Sequence, residues 1–281
     1  MEKTEPAHLD CMQSHISIIT GLVLLLCLAG CMRGAEPANE PVQAAQIASG
    51  QAVSVVLSDG RTDELRLAGV RLPYRLLYPD ETTQARRALD ASVSEPQANI
   101  VITREFDRDR YKRLIASVDV NGADLAERLV EAGHMMVWPA PGENVDYDRL
   151  YRAETRARDA GAGAWADAAF SVHDPDANRL SQYLDSPVVV QGRVVGVGRA
   201  RNGRVFLNFG LDWRTDFTVM VSRQDAVDLE TDGFDLDALD GAVIRVRGWL
   251  IEENGPGLYL RHRAQIELVD APEPVRLPIN D

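Results

Sequence analysis

The stretch Asp109–Gly133, DRYKRLIASVDVNGADLAERLVEAG, constrains the fold of this chain more than any other. An Arg-rich turn, Asp109 to Arg113, runs into an apolar strand, Leu114 to Val120. Asn121-Gly122 follows, a dipeptide whose residues tolerate the positive φ angles of a tight hairpin turn. Beyond it Leu125, Leu129 and Val130 recur at helical spacing, and Gly133 stands just past the helix end. A charged turn, a buried strand and an amphipathic helix this close together must pack on one another, so the stretch is the core unit of a small mixed domain.

The flanking sequence supplies the rest of that domain, over 48–172. Val53 to Leu57 and Thr62 to Val70 read as strands around the hairpin turn Ser58-Asp59-Gly60-Arg61. Thr83 to Val93 reads as a helix and Ile100 to Arg104 as a further strand. Tyr147 to Ala160 is a charged helix ended by Gly161, with Trp165 shortly after. Strands, a helix, a hairpin and then helices is the order of a small β-barrel carrying helices. Ser171 to Arg179 is polar, contains a Pro and reads as a hinge, with the linker at 173–180. From 181 to 270 the pattern is mostly strands: Val188 to Val197, Val205 to Phe209, Phe217 to Val221, Val243 to Ile251, Leu258 to His262 and Gln265 to Val269. One helix, Ser222 to Leu229, has Ser222 as its cap. Three strands, a helix and further strands is the order of a five-stranded OB barrel. The expected fold class is therefore mainly β with helices, as two OB-type β-barrels in tandem, with a tail at 271–281.

The N-terminus has a different character. Ile16 to Gly30 is a short apolar run ending in small residues, which reads as the core of a signal peptide over 1–31. Leu28-Ala29-Gly30-Cys31 resembles the bacterial lipobox, which makes Cys31 the lipidation site and the membrane a partner. That leader carries Lys3 as its only Lys or Arg, and either Met1 or Met12 can be the start. The alternatives are a secretory signal cut elsewhere and an uncleaved anchor. Residues 32–47 are polar, Pro/Ala/Glu-rich and aperiodic, and read as a flexible tether reaching roughly 20 Å. This places the folded part at the bacterial cell envelope, facing the periplasm or the cell surface. All three cysteines lie at or before Cys31, so the remainder has neither a disulfide framework nor a Cys-based metal site. The net charge of -13 disfavours a broad electrostatic grip on nucleic acid.

Three motifs, in the same order and spacing, carry a family resemblance. DRYKRLIA and the helix behind it resemble the D-R-Y-G-R-x-L-A signature and following helix of staphylococcal-nuclease-like (thermonuclease) domains. ELRLAGVRLP resembles that family's x-V-R-L-x-G-I-D-A-P, and the Tyr147 helix with GAGAW resembles its last helix and G-x-W ending. The resemblance implies an OB-type barrel of nuclease topology. It also implies phosphodiester hydrolysis with one Ca²⁺ held by Asp carboxylates, a Glu that handles water, and two Arg on the phosphate. The physical roles are distinct. The cation acts as Lewis acid and the carboxylate as base, while the guanidinium groups meet the extra charge of the phosphoryl transition state.

Carried over residue by residue, Arg66 and Arg113 stand where the phosphate-contacting arginines stand, and Tyr111 matches the motif Tyr. The family's metal turn falls on Ser49-Gly50-Gln51-Ala52, its second metal Asp on Arg71, and its Glu on Tyr74, so the aligned metal ligands and base are replaced. Asp59, Asp63 and Glu64 are the carboxylates that could rebuild a site, Glu64 sharing a strand face with Arg66; Asp80 and Glu81 are nearby. Arg66 and Arg113 can equally be Arg–carboxylate struts closing the barrel. His134 suits the helix end it follows, and Met135 to Trp138 read as core. In the second domain Arg193, Arg199, Arg201, Arg204, Phe206, Phe209, Trp213, Arg214 and Phe217 cluster in sequence. They form either a single-strand-binding face or, as the preferred reading, ordinary alternation with Phe206, Phe209 and Phe217 in the core and Arg outside. Trp249 reads as core.

The sequence thus leads to a binding scaffold built on a nuclease-like barrel, with no cofactor expected. Its partner is nucleic acid, another phosphate-bearing polymer or a protein. The alternative is an active Ca²⁺-dependent nuclease hydrolysing DNA or RNA.

Overall fold

The structure, a computed structural model, describes residues 36–48, 51–73, 79–167, 170–212 and 214–270. The expected signal segment with Cys31, Ser49, Gly50, Tyr74, Trp213 and the 271–281 tail lie outside the described residues.

The first barrel is built from β1 (Glu36–Ile47), β2 (Val53–Leu57), β3 (Thr62–Leu67), a short β4 (Val70–Arg71), helix α1 (Pro79–Val93), β5 (Ile100–Arg108) and β6 (Leu114–Val120). Pairing runs β3-β2-β1-β5-β6, and a parallel β3–β6 contact closes the ring. Alternate residues of β2 and β3, Val53, Val55, Leu57, Leu65 and Leu67, point into the core with Ile102, Ala116, Val118 and Leu89 of α1. Asn121 and Gly122 take φ of 56° and 79°, as the turn requires, and lead into β7 (Ala123–Asp124) before helix α2 (Leu125–Glu131) begins. Asp124 caps α2, its carboxylate accepting the Glu127 N–H. β8 (Met136–Val137) pairs with β4, and helix α3 (Tyr147–Ala160) ends at a left-handed Gly161.

One expectation is corrected here. Residues 36–47 are not a tether: they form β1, paired antiparallel with both β2 and β5. The composition misleads because β1 is held by backbone pairing on two sides and buries little of its own side-chain surface, with Val42 the buried residue and Ala38, Ala45 and Ile47 partly buried. Register shifts between Pro37 and Glu40 and between Val42 and Ala44 accommodate a proline-containing strand inside a sheet.

The expected linker is also structured. β9 (Val172–His173) lies parallel to the first strand of the second barrel, and helix α4 (Ala177–Leu180) follows, capped by Asp176. The second barrel comprises β10 (Ser186–Arg193), β11 (Gly196–Arg199), β12 (Val205–Asn208), β13 (Thr218–Val221), helix α5 (Arg223–Thr231) capped by Ser222, β14 (Val243–Glu252), β15 (Pro256–Leu260) and β16 (Ile266–Asp270). The order is β11-β12-β13-β15-β14-β10, with β13 and β15 parallel. β10 and β11 are two halves of one bent strand, so the path returns to its start. The first barrel has the same path, its third strand likewise parallel to its fifth. Both units are therefore OB-like and stand in tandem.

The barrels share a buried seam. Arg247 of β14, 1% exposed, reaches Glu154 of α3, 0% exposed, with Nη1–Oε1 at 3.0 Å and Nη2–Oε2 at 2.9 Å. Arg247 also donates to the Val137 carbonyl at 2.9 Å and to Glu267 at 2.7 Å, and its guanidinium lies 4.5 Å from the Tyr151 ring. Around this pair Tyr151 donates its hydroxyl to the Ala264 carbonyl and Tyr147 packs on His262. Arg71 lies 4.5 Å from the Trp138 ring and 5.4 Å from the Trp249 ring. Trp249 is thus on the outer face of its barrel, 37% exposed, and not in the core.

Candidate functional site

The two carried-over arginines are brought together by the parallel closure of the first barrel. Arg66 pairs with Ile115, two residues beyond Arg113, and alternates with the core-facing Leu65 and Leu67, so its side chain leaves the barrel wall on the outer face. The turn ahead of β6 sets Arg113. Asp109 Oδ1 accepts the N–H groups of Tyr111 at 2.9 Å and Arg113 at 3.1 Å, while Lys112 takes a φ of 64°. Asp109 Oδ2 then receives Arg113 Nε at 2.8 Å and Nη2 at 2.7 Å, and Arg66 Nε stands 3.7 Å away. Burial alone raises the Asp109 pKa, but the hydrogen bonds from Arg113 and the turn N–H groups outweigh it and hold the carboxyl below its usual range.

Arg66 has a second, stronger partner that sequence reasoning missed. Glu143, 1% exposed, takes a two-pronged grip from the Arg66 guanidinium, with Nη1–Oε2 at 3.2 Å and Nη2 on Oε1. Its Oε2 also accepts the Gly69 N–H at 2.8 Å. Gly69 has a φ of 72°, and a Cβ there would meet Val145 Cγ2 at 2.6 Å, so glycine is required for this approach. The Tyr147 hydroxyl donates to the Glu143 carbonyl at 2.9 Å and fixes the loop that presents the carboxylate. The only sequence signal was positional: a Glu in a Pro-Gly turn directly ahead of the α3 cap. Both guanidinium groups are therefore fastened internally, and each is at most 16% exposed as a side chain.

Two of the possible rescue carboxylates are bound to other arginines. Asp59 is an exposed turn residue whose carboxylate binds Arg61, which lowers its pKa. Asp63 binds Arg108, with Nη1–Oδ1 at 3.0 Å, and that pairing lowers its pKa. Glu64 is exposed and shares the outer face of β3 with Arg66, as its spacing predicts. Asp80 and Glu81 occupy the first turn of α1. Among the described residues no three His, Cys, Asp or Glu side chains are placed to hold a metal ion. Arg71, at the expected position of a metal carboxylate, is part of the seam.

Tyr111 is the exposed member, at 63%. Arg110 and Arg113 lie 4.8 and 5.1 Å from its ring, and Arg110 Nη2 is 2.8 Å from its hydroxyl. On the second barrel three of the arginines clustered in sequence are engaged within the chain: Arg199 binds Glu230 and Asp237, Arg204 binds Glu253, and Arg193 donates to the Gly241 carbonyl. Phe209 and Phe217 are core, as expected, whereas Phe206 is half-buried on the outer face. Burial holds the pKa of His134 below its ordinary value.

A family model described as staphylococcal nuclease homologue matches residues 64–167. No curated protein matches the chain. The match begins within β3, so β1 and β2, which complete the barrel, lie ahead of it. The match and the closed five-stranded ring together identify this part of the chain as a staphylococcal-nuclease-like domain, followed by a second OB-like barrel.

Proposed function

We propose that the protein is a binding scaffold on a nuclease-family fold, one that holds its partner without cutting it. The observation that carries this reading is the fastening of Arg66 to Glu143 and of Arg113 to Asp109. Guanidinium groups already satisfied by carboxylates inside the wall have little left to offer the charge of a phosphoryl transition state. The described donor set also does not fit Ca²⁺. The carboxylates nearest the arginines, Glu143 and Asp109, already accept N–H hydrogen bonds on both oxygens, and a calcium ion needs six or more oxygen ligands. What remains outward is the turn Arg110-Tyr111-Lys112, an exposed ring between cations, which suits contact with a phosphate-bearing polymer such as nucleic acid. Cys31, directly after the Leu28-Ala29-Gly30 run, is the proposed lipid anchor at the envelope.

The test is a cleavage assay on the full chain in detergent, with single- and double-stranded DNA and RNA and with Ca²⁺, Mg²⁺ or EDTA. The expected result is no metal-dependent cleavage. Cleavage that needs a metal and disappears in both Arg66→Ala and Arg113→Ala overturns the scaffold reading and restores the nuclease, with Glu64 as the first carboxylate to replace. Anchoring is read from radiolabelled palmitate in cells: label retained by Cys31→Ser refutes it.

A further inference from the structure

The outer face of the second barrel carries a row of side chains separate from the arginine pair of the first. Register across β11, β12, β13 and β15 sets Gly198, Phe206, Met220 and Tyr259 in one row and Gly196, Asn208, Thr218 and Gly257 in the next. The intervening residues, among them Val205, Leu207, Val219 and Leu258, face the core, so both rows face outward. Phe206 and Tyr259 rise half-buried on either side of the buried Met220. Beside them the surface over β11 is open. A Cβ at Gly198 would meet only Asn208 Nδ2 at 3.7 Å and Phe206 Cβ at 4.0 Å, and one at Gly196 would meet nothing within 4 Å. The Asn208 amide makes no side-chain hydrogen bond to a described residue.

The charge of this face separates its possible ligands. Arg204 lies over the Phe206 ring at 5.1 Å, but its Nη2 binds Glu253 Oε1 at 2.8 Å and stands 3.3 Å from the Tyr259 hydroxyl. That hydroxyl donates to Glu253 Oε2 at 2.8 Å. Arg261 stands at the rim, 5.8 Å from the Tyr259 ring. A phosphate polymer would meet an ionised carboxylate and an already neutralised guanidinium, on a chain of net charge -13. A sugar strand meets two rings that can cover its C–H faces. It also meets an amide, a carboxylate, a guanidinium and a phenol, groups that pair with hydroxyls in both directions.

We propose that this face of the second barrel binds a neutral oligosaccharide strand, stacked on Phe206 and Tyr259 and hydrogen-bonded by Asn208 and the Arg204–Glu253 pair. The test is isothermal titration of the full chain, in a zwitterionic detergent without sugar headgroups. The probes are the β-1,4-linked N-acetylglucosamine hexamer, cellohexaose, maltohexaose and a twelve-base oligothymidine. The expected result is salt-independent binding of at least one hexaose. Phe206→Ala should weaken it about tenfold or more, the weight of a stacked ring. Gly198→Gln should block it, since a side chain fits there without disturbing the fold, and Tyr111→Ala on the first barrel should leave it unchanged. No binding of any hexaose overturns the proposal. So does hexaose binding that Gly198→Gln leaves intact, or oligothymidine binding that Gly198→Gln abolishes and no hexaose matches.

Discussion

Replacing Arg247 by Met tests the seam between the barrels. The guanidinium is 1% exposed and makes paired contacts to Glu154 at 2.9 and 3.0 Å, a third to Glu267 at 2.7 Å and a fourth to the Val137 carbonyl at 2.9 Å. Burial by itself favours loss of the Arg247 proton, but the adjacent Glu154, Tyr151 and Glu267 more than reverse this and hold it charged. Removing it leaves Glu154, 0% exposed, with the Val137 N–H at 2.9 Å and Arg158 at 3.2 Å as its remaining partners. A buried charge stripped of its main counterion costs about 3–5 kcal/mol. For a folded body of this size that corresponds to a melting temperature lower by roughly 6–20 °C. The assay is urea denaturation followed by far-ultraviolet circular dichroism and by tryptophan fluorescence. Arg247→Met should show the full loss, and Glu154→Met a comparable one. The double variant should recover most of it, since an apolar replacement of a whole buried pair is often neutral. An Arg247→Met midpoint equal to that of the parent, or a double variant that loses the sum of the singles, refutes the reasoning.

Other outcomes follow from the same structure. His134, His173 and His262 have pKa values lowered from 6.5 by burial, so the folded chain binds their protons less readily than the unfolded one. Their contribution to stability is complete above about pH 6.5 and is lost as the pH falls below it; His262→Gln should flatten the slope of midpoint against pH between pH 7 and 5. The Asp63–Arg108 pair behaves as a depressed carboxylate, with stability present above the ordinary Asp pKa and lost below it. Asp63→Asn should therefore shrink the loss of stability on acidification below about pH 4. Gly133 has a φ of 70°, and a Cβ there would lie 1.9 Å from the Ala162 carbonyl oxygen. Gly133→Ala should cost more than about 1 kcal/mol in the same denaturation assay, and an unchanged midpoint would show that the 132–163 contact can yield.

Much of the fold was legible because each element carried its own local signal. Ser222 caps α5 where its position predicts a cap, Gly161 ends α3, and Asn121-Gly122 turns. What escaped was held by partners distant in sequence. β1 owes its strand state to β2 and β5, and nothing in its Pro/Ala/Glu pattern announces them. Arg66 and Arg113 were legible as a pair, with strut and phosphate contact evenly weighed, but Glu143 lies 77 positions from Arg66. Glu154 did leave a trace: it falls on the buried stripe of α3 with Leu150 and Ala157, where a lone acid demands a counterion. Arg247 sits on the outer parity of β14 beside Arg245 and Trp249, and only the packing of one barrel on the other buries it.

The seam also sets a timetable for the nascent chain. Glu154 is made 93 residues before its counterion Arg247, an interval of roughly 5–20 s at ordinary rates of synthesis. Throughout that interval Glu154 has the Val137 N–H and Arg158 as its partners. Its paired contacts with Arg247 form only once β14 has emerged. The first barrel, although first in the chain, receives this buried counterion from the second.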